Sequence, residues 1–290
     1  MFDGVCGSPK NDKIGSPPAT EGNGVQDTQS PLLHYPGHHS PLPSGAVARA
    51  AGGDVATVTN RPTPPADCQR ILIVGAGGFG RVVLQWARDA WPGHAGRIAG
   101  FLSSDDGVLY GFEGCPQIIG HPDAYHPARG DYLLLAIGVP YVRRQVAESL
   151  LARGAEFLTL VHPTAIVAAS ARIGVGAILC PSAIASDACR MGRFVIMNYH
   201  SSLGHDASAG DFAVLSPYAT LGGNAHIQEE VFLGLHASIG PGKTVGTRTK
   251  VSANSCVLAN APEDSLVFGV PGRIGHRLSV NQPAQGGRHA

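Results

Sequence analysis

Hydrophobic residues follow three regimes along this chain, and each predicts a different kind of structure. Up to about residue 68 they show no period. Gly, Pro, Ser, Ala, Asn and His dominate there, and such a stretch buries too little apolar surface to offset its ordering entropy. Residues 1–68 are therefore expected to be disordered. From Arg70 the pattern alternates between short apolar runs and helical spacings. Ile71-Leu72-Ile73-Val74 reads as a buried strand, Ile98–Leu102 as a second and Tyr132–Ile137 as a third. Helices are predicted through Val82, Val83, Trp86 and Ala90, and over Val142–Ala152. Alternating strand and helix implies a small parallel sheet, an α/β domain over residues 69–156.

The third regime is a strict period of six. From Val161 the chain divides into hexads without an insertion as far as Pro262. Their first positions run Val161, Val167, Ile173, Leu179, Ala185, Met191, Met197, Leu203, Ala209, Leu215, Leu221, Ile227, Leu233, Ile239, Val245, Val251 and Val257. Fifth positions are small or short-branched, Lys243 excepted, and second positions are often glycine, as at Gly174, Gly192, Gly204 and Gly222. One large aliphatic residue per six is a β-solenoid signature. Each short strand sends that residue inward, the small fifth residue leaves room at the corner, and glycine is expected to support the turn between faces. A β-sandwich would show a period of two with irregular loops. Residues 157–262 are read as the solenoid. Its two raw ends are expected to be capped by the α/β domain and by the tail Ser265–Arg273, with residues 263–290 forming the cap and a flexible tail.

Composition narrows the partners. Lys plus Arg and Asp plus Glu are equal at 21 each, with no basic cluster, which argues against nucleic acid or an anionic membrane surface. No apolar run approaches the roughly 20 residues that a membrane helix requires, and the N-terminus lacks a signal-peptide core. A cytoplasmic protein is expected. The six cysteines contain no C-x-x-C pair, so buried thiols are expected rather than a disulfide framework.

Two places carry candidate chemistry. Gly75-Ala-Gly77-Gly78-Phe-Gly80 follows the first strand and opens the first helix, so its amides can cradle a phosphate. A tight turn needs glycine for steric reasons too. The domain is short for a dinucleotide fold, and Ser103-Ser104 stands where an acidic residue is wanted. A nucleotide phosphate is preferred to NAD. In the repeat, His200, His205, His226 and His236 all take non-core positions, and Asp206 follows His205. Three hexads make one coil, so residues 18 apart stack about 4.8 Å from each other. That puts His205 beside Gly223. A base next to a backbone N–H is the pairing that acyl transfer needs; an exposed histidine with Asp206 solvating its turn is equally compatible with the spacing. Lys243, Arg248 and Lys250 could meet phosphates, although a solvated corner explains them as well. His34, His38 and His39 could bind a metal or be solvated loop residues.

Beyond these patterns, the glycine turn, Leu160-Val161-His162-Pro163, Ile173-Gly-Val-Gly, Asn198 and Ser201-Ser202-Leu-Gly-His205-Asp206 together resemble one family. It is the bacterial sugar acyltransferases related to bacillosamine N-acetyltransferase and sialic acid O-acetyltransferase, and the resemblance spans about residues 70–273. It implies a Rossmann-like sugar-nucleotide-binding domain followed by a left-handed parallel β-helix. It further implies acetyl-CoA as co-substrate, no metal, and a homotrimer with acetyl-CoA between adjacent helices. His205 would be the general base, supported by Asp206, with Asn198 lining the site. Gly223, Leu235 and Ala253 would contact the acyl group and coenzyme A. Gly75, Gly77, Gly78 and Arg143 would bind the sugar nucleotide. Two positions depart from the family: Val214 replaces a histidine found in some members, and Ser103-Ser104 replaces an acidic pair.

Three functions compete on this basis. The first is an acetyl-CoA-dependent acetyltransferase acting on an amino group, or a hydroxyl, of a nucleotide-linked sugar, with O-acetylation of sialic acid or another sugar as its variant. The second is a metal hydratase similar to γ-class carbonic anhydrases, suggested by the His200–His205 spacing and imidazole's affinity for zinc. That class needs a further histidine two coils upstream, and position 164 is threonine. The third is a non-enzymatic solenoid scaffold with a nucleotide-sensing cap.

Overall fold

The computed structural model describes residues 61–275, which lie within one compact unit. The expected disorder of residues 1–68, the three N-terminal histidines and the end of the tail lie wholly or largely outside the described residues. No helix among the described residues is long and apolar enough to cross a membrane.

The first part is a five-stranded parallel sheet. Strands β1 (Arg70–Val74), β2 (Ile98–Leu102), β3 (Ile118–Gly120), β4 (Asp131–Leu135) and β5 (Glu156–Phe157) are ordered β3-β2-β1-β4-β5. Helix α1 (Gly78–Ala90) connects β1 towards β2, and α2 (Pro140–Ala152) connects β4 to β5. After their first residues, Arg70 and Asp131, β1 and β4 are hydrophobic and buried because both sheet faces are covered. Proline at the start of α2 suits the first helical turn, where its missing N–H costs nothing. Strands β3 and β5 were not legible in the sequence: each is only two or three residues long and sits at a sheet edge.

Gly80 shows why the first turn is glycine-rich. A Cβ there would lie 2.8 Å from the carbonyl carbon of Gly75 and closer still to its oxygen, so α1 approaches the exit of β1 only without a side chain. At the opposite end of the sheet, Arg70 grips Asp131 through two 2.7 Å bonds, and Tyr125 and the Ala128 N–H also donate to that carboxylate. Burial alone would disfavour the Asp131 charge, but these donors outweigh it and hold its pKa below the ordinary carboxylate range.

The second part is a left-handed parallel β-helix with three faces. Its two-residue strands recur every six residues and pair 18 apart, for example Ser202 with Thr220 and Leu203 with Leu221. One face stacks the strands from Leu160–Val161 to Leu266–Phe268, the second those from Ile166–Val167 to Cys256–Val257, and the third those from Arg172–Ile173 to Thr244–Val245. First and fifth hexad residues form one continuous core of alternating large and small side chains. Each large aliphatic residue buried there contributes about 1.5–3 kcal/mol.

The hexad glycines have a different cause from the one expected. From Gly176 to Asn254 the left-handed backbone of the turns falls on the fourth hexad residue, and Ser182, Ala188, Phe194, His200, Asp206, Tyr218 and Asn224 all adopt it with φ between 54° and 62°. Glycine at the second position answers to contact between coils instead. A Cβ on Gly204 would stand 2.7 Å from the Gly223 nitrogen, and one on Gly234 would stand 2.6 Å from the Ala253 nitrogen. The strained turns are tied to each other: the Asp206 N–H donates to Asp187 O at 3.0 Å, and the Asn224 N–H to His205 O at 2.9 Å.

The α/β domain does more than cap an end. Outward residues of the first face, Leu160, Ile178 and Cys180, share a core with β1, β4 and α1, while Phe194 and Phe212 stack beneath β4 and α2. Arg144 continues this contact, lying over the Phe212 ring and pairing with Glu229 at 2.5 Å and Glu230 at 2.7 Å. The domain thus lies along a flank of the helix, because those outward hexad positions are apolar. At the far end the period tightens: Val251 pairs with Val267, 16 residues on, and Arg273–Ile274 folds back antiparallel on Leu266–Phe268.

Candidate active site

Successive hexad turns form three corners of the prism, and one of them holds His205. Its Nδ1 lies 2.9 Å from Asp206 Oδ2, so the carboxylate is best met by an Nδ1–H and the lone pair is left on Nε2. The pair is open, with side chains 65% and 55% exposed. One coil on, Gly223 sits directly under the imidazole. A Cβ on Gly223 would fall 2.6 Å from Cε1 and 2.9 Å from Cδ2, with Nε2 nearer still. The Gly223 N–H makes no hydrogen bond among the described residues, while its carbonyl accepts from Gly242. Base, carboxylate and available amide therefore meet on one corner, as the 18-residue spacing requires.

Asn198, Leu235 and Ala253 do not join them within one chain. They belong to the next corner, where the Asn198 side chain caps the Tyr199 N–H at 2.9 Å and Leu235 is exposed. His200, Tyr218 and His236 stack on that corner with ring centroids 4.8 and 4.6 Å apart. His200 is thus held in a ladder one corner away from His205. Among the described residues no three His, Cys, Asp or Glu side chains gather to hold a metal ion. Of the basic residues near the end of the helix, Arg248 is held by Asp264 at 2.6 and 2.5 Å, and Lys250 lies over the Phe232 ring. Lys243 is half buried.

The glycine turn opens into a cavity of about 300 Å³ at the C-terminal ends of β1, β2 and β4. Gly75 and Gly77 line it, together with Ser103, Ser104, His121, Asp123, Ile137 and Val142. This is the crevice in which open parallel sheets bind ligands. Gly78 starts α1 beside it, and no side chain caps that helix N-terminus. His121, Asp123 and Ile137 were missed in the sequence. The signal for His121 and Asp123 was Ile118-Ile119-Gly120, which is strand β3, and that for Ile137 was its place just past β4: the residues following a strand's C-terminal end face this crevice.

Arg143 requires a correction. It does not line this cavity and is not a helix-surface residue but is fully buried, with its guanidinium donating to backbone carbonyls of Leu135, Ile137, Phe194 and Gly176. Burial pulls its pKa down to about 9, which leaves it charged at neutral pH. Its helical position gave no hint of this, because α2 turns that face towards both the sheet and the β-helix.

Comparisons with known proteins bear on the fold and its two parts. Residues 70–150 match the PglD N-terminal domain family. A UDP-N-acetylbacillosamine N-acetyltransferase from Bacillus subtilis (strain 168) is 36% identical over 116 residues, which is 38% of this chain and 51% of that protein. A perosamine N-acetyltransferase mutant from Caulobacter crescentus, solved with CoA and GDP-perosamine, is 27% identical with a TM-score of 0.64, covering 71% of this chain and 97% of that one. The chain is similar in fold, and in part in sequence, to sugar acetyltransferases of this kind. Among these relatives is also the acetyltransferase domain of PglB from Neisseria gonorrhoeae FA1090, solved with acetyl coenzyme A. It is 28% identical with a TM-score of 0.63, covering 71% of this chain and 98% of that one. The chain spans about half the length of the curated acyltransferase it matches, and nearly the whole of these solved ones.

Proposed function

We propose that this chain is an acetyl-CoA-dependent N-acetyltransferase whose acceptor is a nucleotide-linked amino sugar. The observation that carries this reading is the corner where His205, Asp206 and the Gly223 amide meet. Asp206 holds the imidazole through Nδ1, so Nε2 is free to take a proton from the acceptor amine as it attacks the thioester carbonyl. Negative charge then develops on the carbonyl oxygen, and the Gly223 N–H is the donor placed to receive it. As the tetrahedral centre collapses, coenzyme A leaves as the thiol and takes up the proton. A hydroxyl acceptor would use the same groups; an amino sugar is preferred because the crevice at Gly75 and Gly77 suits a nucleotide's phosphates and the relatives solved with a sugar nucleotide are N-acetyltransferases.

Asn198, Leu235 and Ala253 complete the site in a homotrimer, in which their corner on one copy faces His205 of the next. Their separation from His205 within one chain supports this assembly. The test is a coenzyme A release screen against UDP-, GDP- and dTDP-linked 4-amino sugars and free sialic acid, with the wild type and His205→Ala. The reading expects release with one nucleotide-linked amino sugar and a fall of about 10²–10⁴-fold in His205→Ala. Unchanged acyl transfer in that variant would remove His205 from the mechanism, and release with sialic acid alone would move the activity to O-acetylation.

A further inference from the structure

We propose that Arg143 is a positioning residue that holds the acceptor crevice in register with the β-helix. This rests on the sugar-nucleotide reading of that crevice. The Arg143 side chain is 0% exposed and reaches two bodies at once. On one side it donates to Leu135 O and, at 3.1 Å, to Ile137 O, at the exit of β4. On the other it donates to Phe194 O at 2.8 Å and Gly176 O at 3.3 Å. Gly176 and Phe194 occupy the same corner of consecutive coils.

The β4 exit is a wall of the crevice. Ile137 lines the cavity, and the Ala136 carbonyl lies 2.7 Å from where a Gly75 Cβ would stand, so this segment is pressed against the glycine turn. One guanidinium therefore fixes that wall against the corner of the β-helix. Only arginine carries five N–H donors in a rigid planar fork able to meet four carbonyls. Filling the space would not require this: a charge buried without a carboxylate partner is costly, and an apolar side chain of similar volume would pack there at lower cost. The retained cation points to a demand for geometry. Misplacement of about 1 Å between reacting groups costs about 10²-fold in rate, and the distance from crevice to catalytic corner is one that this contact sets.

The test uses the full chain with Arg143→Met and Arg143→Lys. KM for the nucleotide-linked acceptor and for acetyl-CoA are measured separately, alongside thermal denaturation and amide hydrogen exchange. In folded variants the acceptor KM is expected to rise at least about tenfold, and kcat/KM for the acceptor to fall by about 10²-fold. The acetyl-CoA KM should stay within about twofold, since the thioester site is built on the β-helix, and lysine should retain more activity than methionine. Exchange should quicken over residues 136–139 and stay unchanged over residues 203–221. Equal changes in both KM values, or no change in either, would overturn the proposal. If Arg143→Met does not fold, Arg143→Lys carries the same comparison. If the wild type itself acts on no nucleotide-linked sugar, the functional reading fails on its own. The exchange pattern, with UDP, GDP and dTDP affinities by calorimetry, then decides whether Arg143 positions the crevice.

Discussion

Replacing Gly223 by alanine separates the chemistry of the His205 corner from its stability. The added Cβ would stand 2.6 Å from His205 Cε1 and 2.9 Å from Cδ2, with Nε2 nearer. Non-bonded carbon atoms settle at about 3.5–4.0 Å, so the imidazole must move by roughly 1 Å. It can do so, because the ring is 65% exposed and, among the described residues, is held by the single 2.9 Å bond to Asp206. Leaving its rotamer costs about 0.5–1.5 kcal/mol, a small part of a typical stability of about 5–15 kcal/mol. The expected melting temperature is therefore within a few degrees of the wild type. Activity should respond quite differently, since a displaced base forfeits about 10²-fold or more. The assay is initial-rate coenzyme A release at saturating acetyl-CoA, with the melting curve recorded on the same preparation. A folded Gly223→Ala protein of full activity would refute the idea that His205 works against this backbone. So would a loss of activity that merely tracks unfolding.

Two further predictions concern the α/β domain. Gly80→Ala places a Cβ 2.8 Å from the Gly75 carbonyl carbon, and backbone cannot step aside as a side chain can. We expect a loss of at least about 2 kcal/mol in denaturant unfolding, and a cost under 0.5 kcal/mol would show that α1 and β1 are less tightly apposed. Asp131, whose pKa is lowered by Arg70, Tyr125 and Ala128 against the opposing effect of burial, lends stability that is fully present above the unfolded carboxylate value of about 3.9 and is lost as pH falls through its lower folded value. Asp131→Asn should cost about 1–2 kcal/mol at neutral pH, the partly exposed Arg70 limiting the figure. It should also flatten the acid limb of the stability curve below about pH 4, and an unaltered limb would assign acid unfolding to other groups.

How much of this could be read from the chain depends on the range of the interactions involved. The β-helix was legible almost completely, because every coil repeats the same local problem and the hexad period is itself the coil geometry. That period also made a distance measure: 18 residues placed Gly223 beside His205, and the folded chain has them in contact. Strands β1, β2 and β4 were legible because burial on both faces leaves an unbroken apolar run.

Other features depended on contacts between segments distant in sequence. Glycine at the second hexad position was visible, yet its reason, the backbone of the next coil, is a property of stacking. Strand β3 is too short to impose a pattern, so the crevice residues that follow it, His121 and Asp123, stayed hidden. Arg143 looked like an ordinary helical arginine, and only the docking of α2 against the β-helix surrounds it with four carbonyls. The sequence by itself determined the prism, its register and the neighbours of the candidate base. The tertiary structure alone decided that Arg143 is buried between the two parts, which residues gather at the crevice, and how that crevice is fastened to the β-helix. The physical reason is that a repeat encodes its own nearest neighbours, whereas the packing of one domain on another is written in single residues with no period to reveal them.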